Sequence, residues 1–284
     1  MKGKPTIAIV GAGRLGSAVG MHLNRAGYRV QEIVAGSSSA SRRKARALAR
    51  SIASVVSTLD KARLQADVVW LCVPDREISR AANDLARRQK WTGKVVFHSS
   101  GALPSDELRC LRQAGAAVAA VHPFMTFVSG AVPSLDGVAF AIEGDAKALK
   151  MAQQVVRSLG AVTFPIEKRK KAAYHAWGGF SSPLLVALLM TGERVAREAG
   201  ISAQDARKKM MPIVRQTVSN YEKLGPEAAF TGPLVRGDAE VVRRHLDLLK
   251  RVPAAREVYL SLARSALQTL PVRNRKELER VLRD

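Results

Sequence analysis

A chain of 284 residues, 47% hydrophobic but only 5% aromatic, is long enough to bury one large core or two modest ones. No apolar run reaches the roughly 18 residues of a membrane span, and two cysteines, Cys72 and Cys110, offer neither a disulfide framework nor metal-ligand spacing. The 46 Lys and Arg against 24 Asp and Glu leave a net charge of +22, a field that favours anionic partners. The basic runs at 42–50, 168–171, 243–251 and 273–283 carry no interleaved aromatics and no zinc, RRM or KH pattern, so they read as solvated helix faces and not as a nucleic-acid surface. The opening MKGKPTIAIVGAG enters a glycine turn without a signal-peptide cleavage site, which points to the cytoplasm.

In chain order, TIAIV (6–10) predicts a first strand and 14–27 a helix closed by Gly27. A strand over 28–34, a helix over 39–52 and a short strand near 53–56 follow. ADVVWLCV (66–73) is apolar on both faces, as a central parallel strand is. A helix over 75–89, a strand over 94–100 and a helix–strand pair over 103–115 and 116–123 continue the alternation. A strand–helix–strand unit over 138–144, 145–160 and 161–166 completes it. Beyond Glu167 there is only helical periodicity, broken at Gly200, Pro212, Gly225–Pro226, Gly232–Pro233 and Pro253. Within it, GGFSSPLLVALLM (178–190) is expected to be a buried helix. The predicted class is α/β: a Rossmann-type, doubly wound, mostly parallel sheet over 1–166 and an all-helical domain over 167–284.

Gly11-Ala12-Gly13-Arg14-Leu15-Gly16 follows the first strand and opens the first helix, the context a dinucleotide fingerprint requires. Gly11 would permit the tight turn, Gly13 the approach of a pyrophosphate, and Gly16 close packing of helix on strand. An anion there would meet free N–H groups and the positive end of the helix dipole. From Ile33 to Leu59 there is no Asp or Glu, whereas Ser37, Ser38 and Arg42 follow the second strand. That favours NADP, whose extra phosphate needs small polar and basic residues, over NAD. Glu32 is the rival acid, but it lies inside the strand.

The motifs VGAGRLG, VPDREI, HSSGALPSDEL, HPFMTF, YHAWGGFSSPLLVALL and TGPLVRGDAEVVRRHL resemble, in order and over nearly the whole chain, one family of oxidoreductases. Its members join a Rossmann-like domain to a helical domain of unknown function and are grouped with pyrroline-5-carboxylate reductases and deazaflavin-dependent NADP oxidoreductases. The resemblance implies NADP binding and a homodimer formed through the helical domain, but no particular substrate. It also implies an asparagine where this chain has Ser181-Ser182-Pro183, and proline replaces that amide.

Ligands of a doubly wound sheet collect beyond the carboxyl ends of its strands. Val73-Pro74-Asp75, His98-Ser99-Ser100-Gly101 and His122-Pro123-Phe124 each end a predicted strand. Val73, Pro74 and Ser99 are read as cofactor contacts. His122 is the first candidate for proton donation beside a nicotinamide, with His175 the second. Ser100, Tyr174, Thr231 and Arg236 are candidate substrate contacts, Arg236 as a fork for a carboxylate or as the partner of Asp238. No metal site is indicated. The expectation is an NADP-dependent oxidoreductase acting on a C=O or C=N group of a small anionic metabolite; the alternative is a non-catalytic NADP-binding regulatory or interaction protein.

Overall fold

The structure, a computed structural model, describes residues 3–283. The chain divides into two compact units, Met1–Gly179 and Phe180–Asp284.

The first unit holds one eight-stranded sheet: β1 (Ile7–Val10), β2 (Val30–Ala35), β3 (Val55–Thr58), β4 (Val68–Leu71), β5 (Val95–His98), β6 (Ala117–Pro123), β7 (Ala139–Gly144) and β8 (Val162–Pro165). Their order is β3-β2-β1-β4-β5-β6-β7-β8. Ile7 is paired with Val30 on one side and Val68 on the other, and every pair is parallel except β6 with β7. The chain winds outward from β1 through β2 to β3, then returns to β4 on the other side of β1. The order therefore reverses between β1 and β4, where their carboxyl ends leave a crevice.

Helices cover both faces. On one side α1 (Arg14–Arg25), α2 (Ser39–Ile52) and α5 (Ala146–Ser158) bury Val19, Leu23, Leu48 and Val155 against Ile9, Ile33 and Trp70. On the other, α3 (Asp75–Ala86) and α4 (Arg109–Gln113) bury Ile78, Leu85 and Leu111 against Val10, Leu71 and Val96. Both faces being covered explains why β1, β4 and β5 read as unbroken apolar runs. Trp70 meets Phe97 edge-on, ring centroids 5.4 Å apart. Cys72 is buried beside them, and burial pushes its thiol up to about 12, the behaviour of an inert hydrophobe.

Several expected boundaries shift for identifiable reasons. The short strand near 53–56 begins at Val55 because Ala53 caps α2 in the left-handed conformation, φ 50°. The helix expected over 103–115 is a 3₁₀ turn, Ser105–Leu108, running into the short α4. α6 (Lys171–Ser181) begins in the first unit.

The second unit is helical: α7 (Pro183–Glu198), α8 (Ala203–Ala229), α9 (Pro233–Arg236), α10 (Ala239–Leu249), α11 (Pro253–Thr269) and α12 (Arg275–Val281). Its core joins Val242 and Leu246 of α10 to Leu260 and Leu267 of α11 and Leu278 of α12. Pro212 does not break the helix as expected: it lies within α8 on an exposed position, where one missing backbone bond is tolerated. The break comes at Gly225, with φ 79° and ψ 175°. A second correction concerns 178–190. Pro183 starts a new helix at its N-terminus, and Leu184, Leu185, Val186, Leu188 and Met190 are exposed on α7, not buried, because within its unit α7 packs chiefly against α8 and α11 on its other side. No helix among the described residues is long and apolar enough to cross a membrane.

Candidate active site

The three glycines between β1 and α1 have three different surroundings. Gly11 has φ +100°, and a Cβ there would stand 2.7 Å from the Cys72 carbonyl oxygen. A Cβ at Gly16 would lie 1.9 Å from the Gly11 oxygen. A Cβ at Gly13 would meet nothing within 4 Å, so the α1 N-terminus opens on free space. Turn, packing and open approach are thus divided among the three positions as a pyrophosphate-binding turn requires. Ala12 is buried and Leu15 packs on the core, so both offer a ligand only their backbone. The Arg14 guanidinium reaches the Phe127 carbonyl at 3.4 Å.

Beyond β2, Ser38 caps α2, its hydroxyl accepting the Ser41 N–H at 3.1 Å. Gly36 N–H donates to Ser41 Oγ at 2.8 Å, and Arg42 donates to the Ser37 carbonyl. The loop is thereby held with serines and a cation at the strand's carboxyl end. Glu32 is not there. Its carboxylate is buried and accepts the N–H groups of Arg63 at 3.1 Å and Leu64 at 2.8 Å.

Pro74 caps α3 and Val73 packs against the core beneath it. Ser99 Oγ accepts the Trp70 indole N–H at 2.7 Å. Ser100 is buried, and its hydroxyl donates to Asp75 Oδ2 at 2.8 Å while accepting the Ala102 and Leu103 N–H groups at 3.2 and 2.9 Å. With these bonds made, Ser100 fastens the 99–105 loop. His98 is fastened likewise: its Nδ1 accepts the Ser100 N–H at 3.1 Å, and its Nε2–H donates to the Pro104 carbonyl at 3.0 Å. Burial first, then the charge of Lys171, lowers its pKa to about 4.

The structure brings His122, Tyr174 and His175 together. Lys171, Tyr174 and His175 share one face of α6 at spacings of three and four residues. Tyr174 Oη lies 2.6 Å from His122 Nδ1. A Cβ on Gly101 would stand 2.9 Å from His122 Nε2 and from His175 Cδ2, so the bare glycine gives both rings their place. Burial, then the charges of Lys171 and His175, lowers His122 to about 4. Phe124 and Trp177 stack at 4.2 Å beside Tyr174.

Behind this face lies a polar core that the sequence reading did not single out. Lys171 is 1% exposed. Its ammonium donates to the Ser100 carbonyl at 3.2 Å and stands 4.0 Å from Glu143 Oε1. Glu143 accepts the Ser105 N–H at 2.5 Å and the Ser105 hydroxyl at 2.8 Å. The available signal was the Lys171–His175 spacing within one helix; the KRKK run hid it among solvated charges.

The remaining two candidates belong to the second unit. Arg236 pairs with Asp238, Nη2 to Oδ2 at 2.8 Å, and Thr231 is exposed before α9. Among the described residues no group of three or more His, Cys, Asp or Glu is gathered as metal ligands.

Residues 2–123 match the Rossmann-like domain family, and residues 138–266 match a domain of unknown function, DUF2520. The chain joins a Rossmann-like domain to a DUF2520 domain. No curated protein matches it. A candidate NADP oxidoreductase from Bacteroides fragilis superposes on this Rossmann-like–DUF2520 chain with a TM-score of 0.77 at 19% identity, over 92% of this chain and 97% of the other. Protein TM1727 of Thermotoga maritima gives 0.70 at 24% identity over 98% of each chain. A reductive aminase from Aspergillus terreus, in complex with NADPH and ethyl-5-oxohexanoate, gives 0.66 at 14% identity over 94% of each. These likenesses establish the shared fold of the Rossmann-like–DUF2520 chain.

Proposed function

We propose that the chain is an NADP-dependent oxidoreductase, reducing a C=O or C=N group of a small anionic metabolite. The observation that carries this reading is the division of labour among Gly11, Gly13 and Gly16 at the point where the strand order reverses. The choice of NADP rests on the β2 end. Ser37, Ser38 and Arg42 stand there, while Glu32 is committed to the backbone of Arg63 and Leu64 and is withheld from a ribose. Val73, Pro74 and Ser99 would border the ring end of the cofactor. Among the structural neighbours, the reductive aminase solved with NADPH is consistent with this reading.

When bound, the dinucleotide supplies the hydride. The chain's own residues hold the acceptor and supply a proton. Tyr174 Oη has no other hydrogen-bond partner among the described residues, so its O–H donates to His122 Nδ1 and the histidine hydrogen sits on Nε2, beside Gly101 and His175. A neutral imidazole in that tautomer passes its Nε2 proton to the substrate oxygen or nitrogen as charge develops while Nδ1 takes the Tyr174 proton, and the tyrosinate so formed takes a proton from solvent before the next turnover. His175, on the exposed side of the pair, is placed to orient the substrate. The exposed apolar side chains of α7 and α8, Val186 at 64% and Ile213 at 68% among them, support a homodimer through the helical unit.

Calorimetric titration with NADPH and NADH at fixed moderate salt tests the reading. NADPH is expected to bind more tightly, with the preference lost in Arg42→Ala and in Ser37→Asp. Binding of neither dinucleotide would overturn it; tight binding without turnover on carbonyl and imine panels would leave a binding protein.

A further inference from the structure

One sizeable cavity among the described residues lies away from the crevice between β1 and β4. It is an open groove of about 780 Å³ along the free edge of the sheet, where β3 has no neighbour beyond it. We infer that this groove is a second anion site, taking a phosphate-bearing ligand of nucleotide size. It goes beyond the dinucleotide reading and shares with it only Arg42.

Five cations line the groove: Arg42 and Arg46 on α2, Arg29 before β2, and Lys61 and Arg63 after β3. None of the five takes part in an ion pair among the described residues. The 27 residues from Ile33 to Leu59, which lead into β3 and just past it, contain no acidic side chain. The one carboxylate in the lining, Glu32, is already satisfied by two backbone N–H groups. Five cations against a single carboxylate still repel one another, and an anion with several oxygens relieves that repulsion.

The groove is built and not merely charged. Leu64 is buried with φ 49°, a conformation that costs a branched side chain energy, and Glu32 holds its N–H in place. Fixing Leu64 inward leaves Arg63 and Gln65 exposed on either side of it and lining the groove. Ser57 lines the same wall, and its Oγ is buried without a hydrogen-bond partner among the described residues. A buried hydroxyl left unpaired calls for a partner, and a phosphate oxygen is an acceptor for it. The lining holds no aromatic ring, so recognition falls on phosphate and not on stacked bases. The volume lies in the range of small-molecule sites, roughly 300–1,000 Å³.

The test uses the full chain saturated with NADPH, titrated calorimetrically with inorganic tripolyphosphate and, separately, with ATP. Both are expected to bind without displacing NADPH, and Arg46→Glu and Arg63→Glu, both exposed positions, are each expected to weaken them by about tenfold or more while leaving NADPH affinity unchanged. Equal affinity for the two probes assigns the groove to a phosphate chain; tighter ATP binding adds the nucleoside. No binding of either probe, binding indifferent to both substitutions, or displacement of NADPH would each overturn the inference. The same titrations on the free chain keep the two readings apart: if NADPH fails to bind, the dinucleotide reading falls, and the groove stands or falls on its own probes.

Discussion

The hydroxyl of Tyr174 sits 2.6 Å from Nδ1 of His122, and this contact decides what the histidine can do. Burial pushes the phenol above its ordinary range, so it keeps its proton, and the imidazole is held near 4, so it takes none at neutral pH. In the proposed reaction this neutral pair would serve as a relay, unlike the imidazolium donor that a free histidine would offer. Tyr174→Phe keeps the ring packing but removes the proton that fixes the tautomer. It is expected to lower kcat by roughly 10- to 100-fold with little change in KM for NADPH. Steady-state kinetics check this, and nitrogen shifts of His122 report whether the Nε2–H tautomer is lost in parallel. Unchanged turnover together with a changed tautomer would remove Tyr174 from the proton path.

The glycine turn predicts two opposite outcomes from the same substitution. Gly16→Ala would force a Cβ to 1.9 Å from the Gly11 oxygen, a position the backbone cannot yield without moving α1 off β1. Loss of stability is expected, on the order of 3 kcal/mol, as for other severe overpacking. Gly13→Ala places its methyl in open space. It is expected to fold with an unchanged Tm and to weaken NADPH by about tenfold or more, because the methyl occupies the phosphate approach. Thermal unfolding and calorimetry on the two variants separate these effects; equal NADPH affinity for Gly13→Ala and the parent would mean the phosphates lie elsewhere.

The order of strands and helices in the first unit was legible because each strand buried on both faces reads as an apolar run and each helix repeats every three to four residues. The tight turn at Gly11 and the close packing at Gly16 were legible too, since their spacing sits on a strand-to-helix junction. Lys171 and Glu143 were not. Their partners lie on the 99–105 loop, 38 or more residues away, and a long-range ion pair leaves no local pattern. Ser100 illustrates the same limit: its position at a strand end gives no sign of the acceptor it meets, Asp75, which follows a different strand. The apolar run 178–190 is exposed on α7 and not buried as its composition suggests, because apolarity alone does not say which neighbours reach a helix face.

His98 and His122 also set an acid limit. Both are held near 4 in the fold by burial first, with the Lys171 charge adding to each, against an ordinary histidine value of 6.5. Because the folded values are depressed, the stability is fully present above 6.5 and is lost as pH falls toward 4, where the unfolded chain takes up protons that the fold refuses. For the fully buried His98 ring the window is worth about 3 kcal/mol. The Tm is expected to fall steeply between pH 6.5 and 4, and Lys171→Met, which deletes a cation acting on both rings, should flatten that fall. Thermal melts across this range check it; a Tm constant down to pH 4.5 would contradict the buried neutral pair.

The exposed apolar face of α7 and α8 makes the last prediction. Phe180, Leu184, Val186 and Met190 around the start of α7, and Ile213, Val218 and Leu224 on α8, present large side chains that nothing in the described chain covers. Each buried methylene is worth about 0.8 kcal/mol, so a helical unit with this surface in water would be poorly soluble alone, and a second copy offers a self-complementary cover. Val186→Asp and Ile213→Asp, both on exposed positions, would place a carboxylate in that contact. Each is expected to shift the protein from dimer to monomer by light scattering, with helical content retained by circular dichroism. A parent protein that runs as a monomer at micromolar concentration would refute the assembly, and a dimer that survives both substitutions would move the interface off this face.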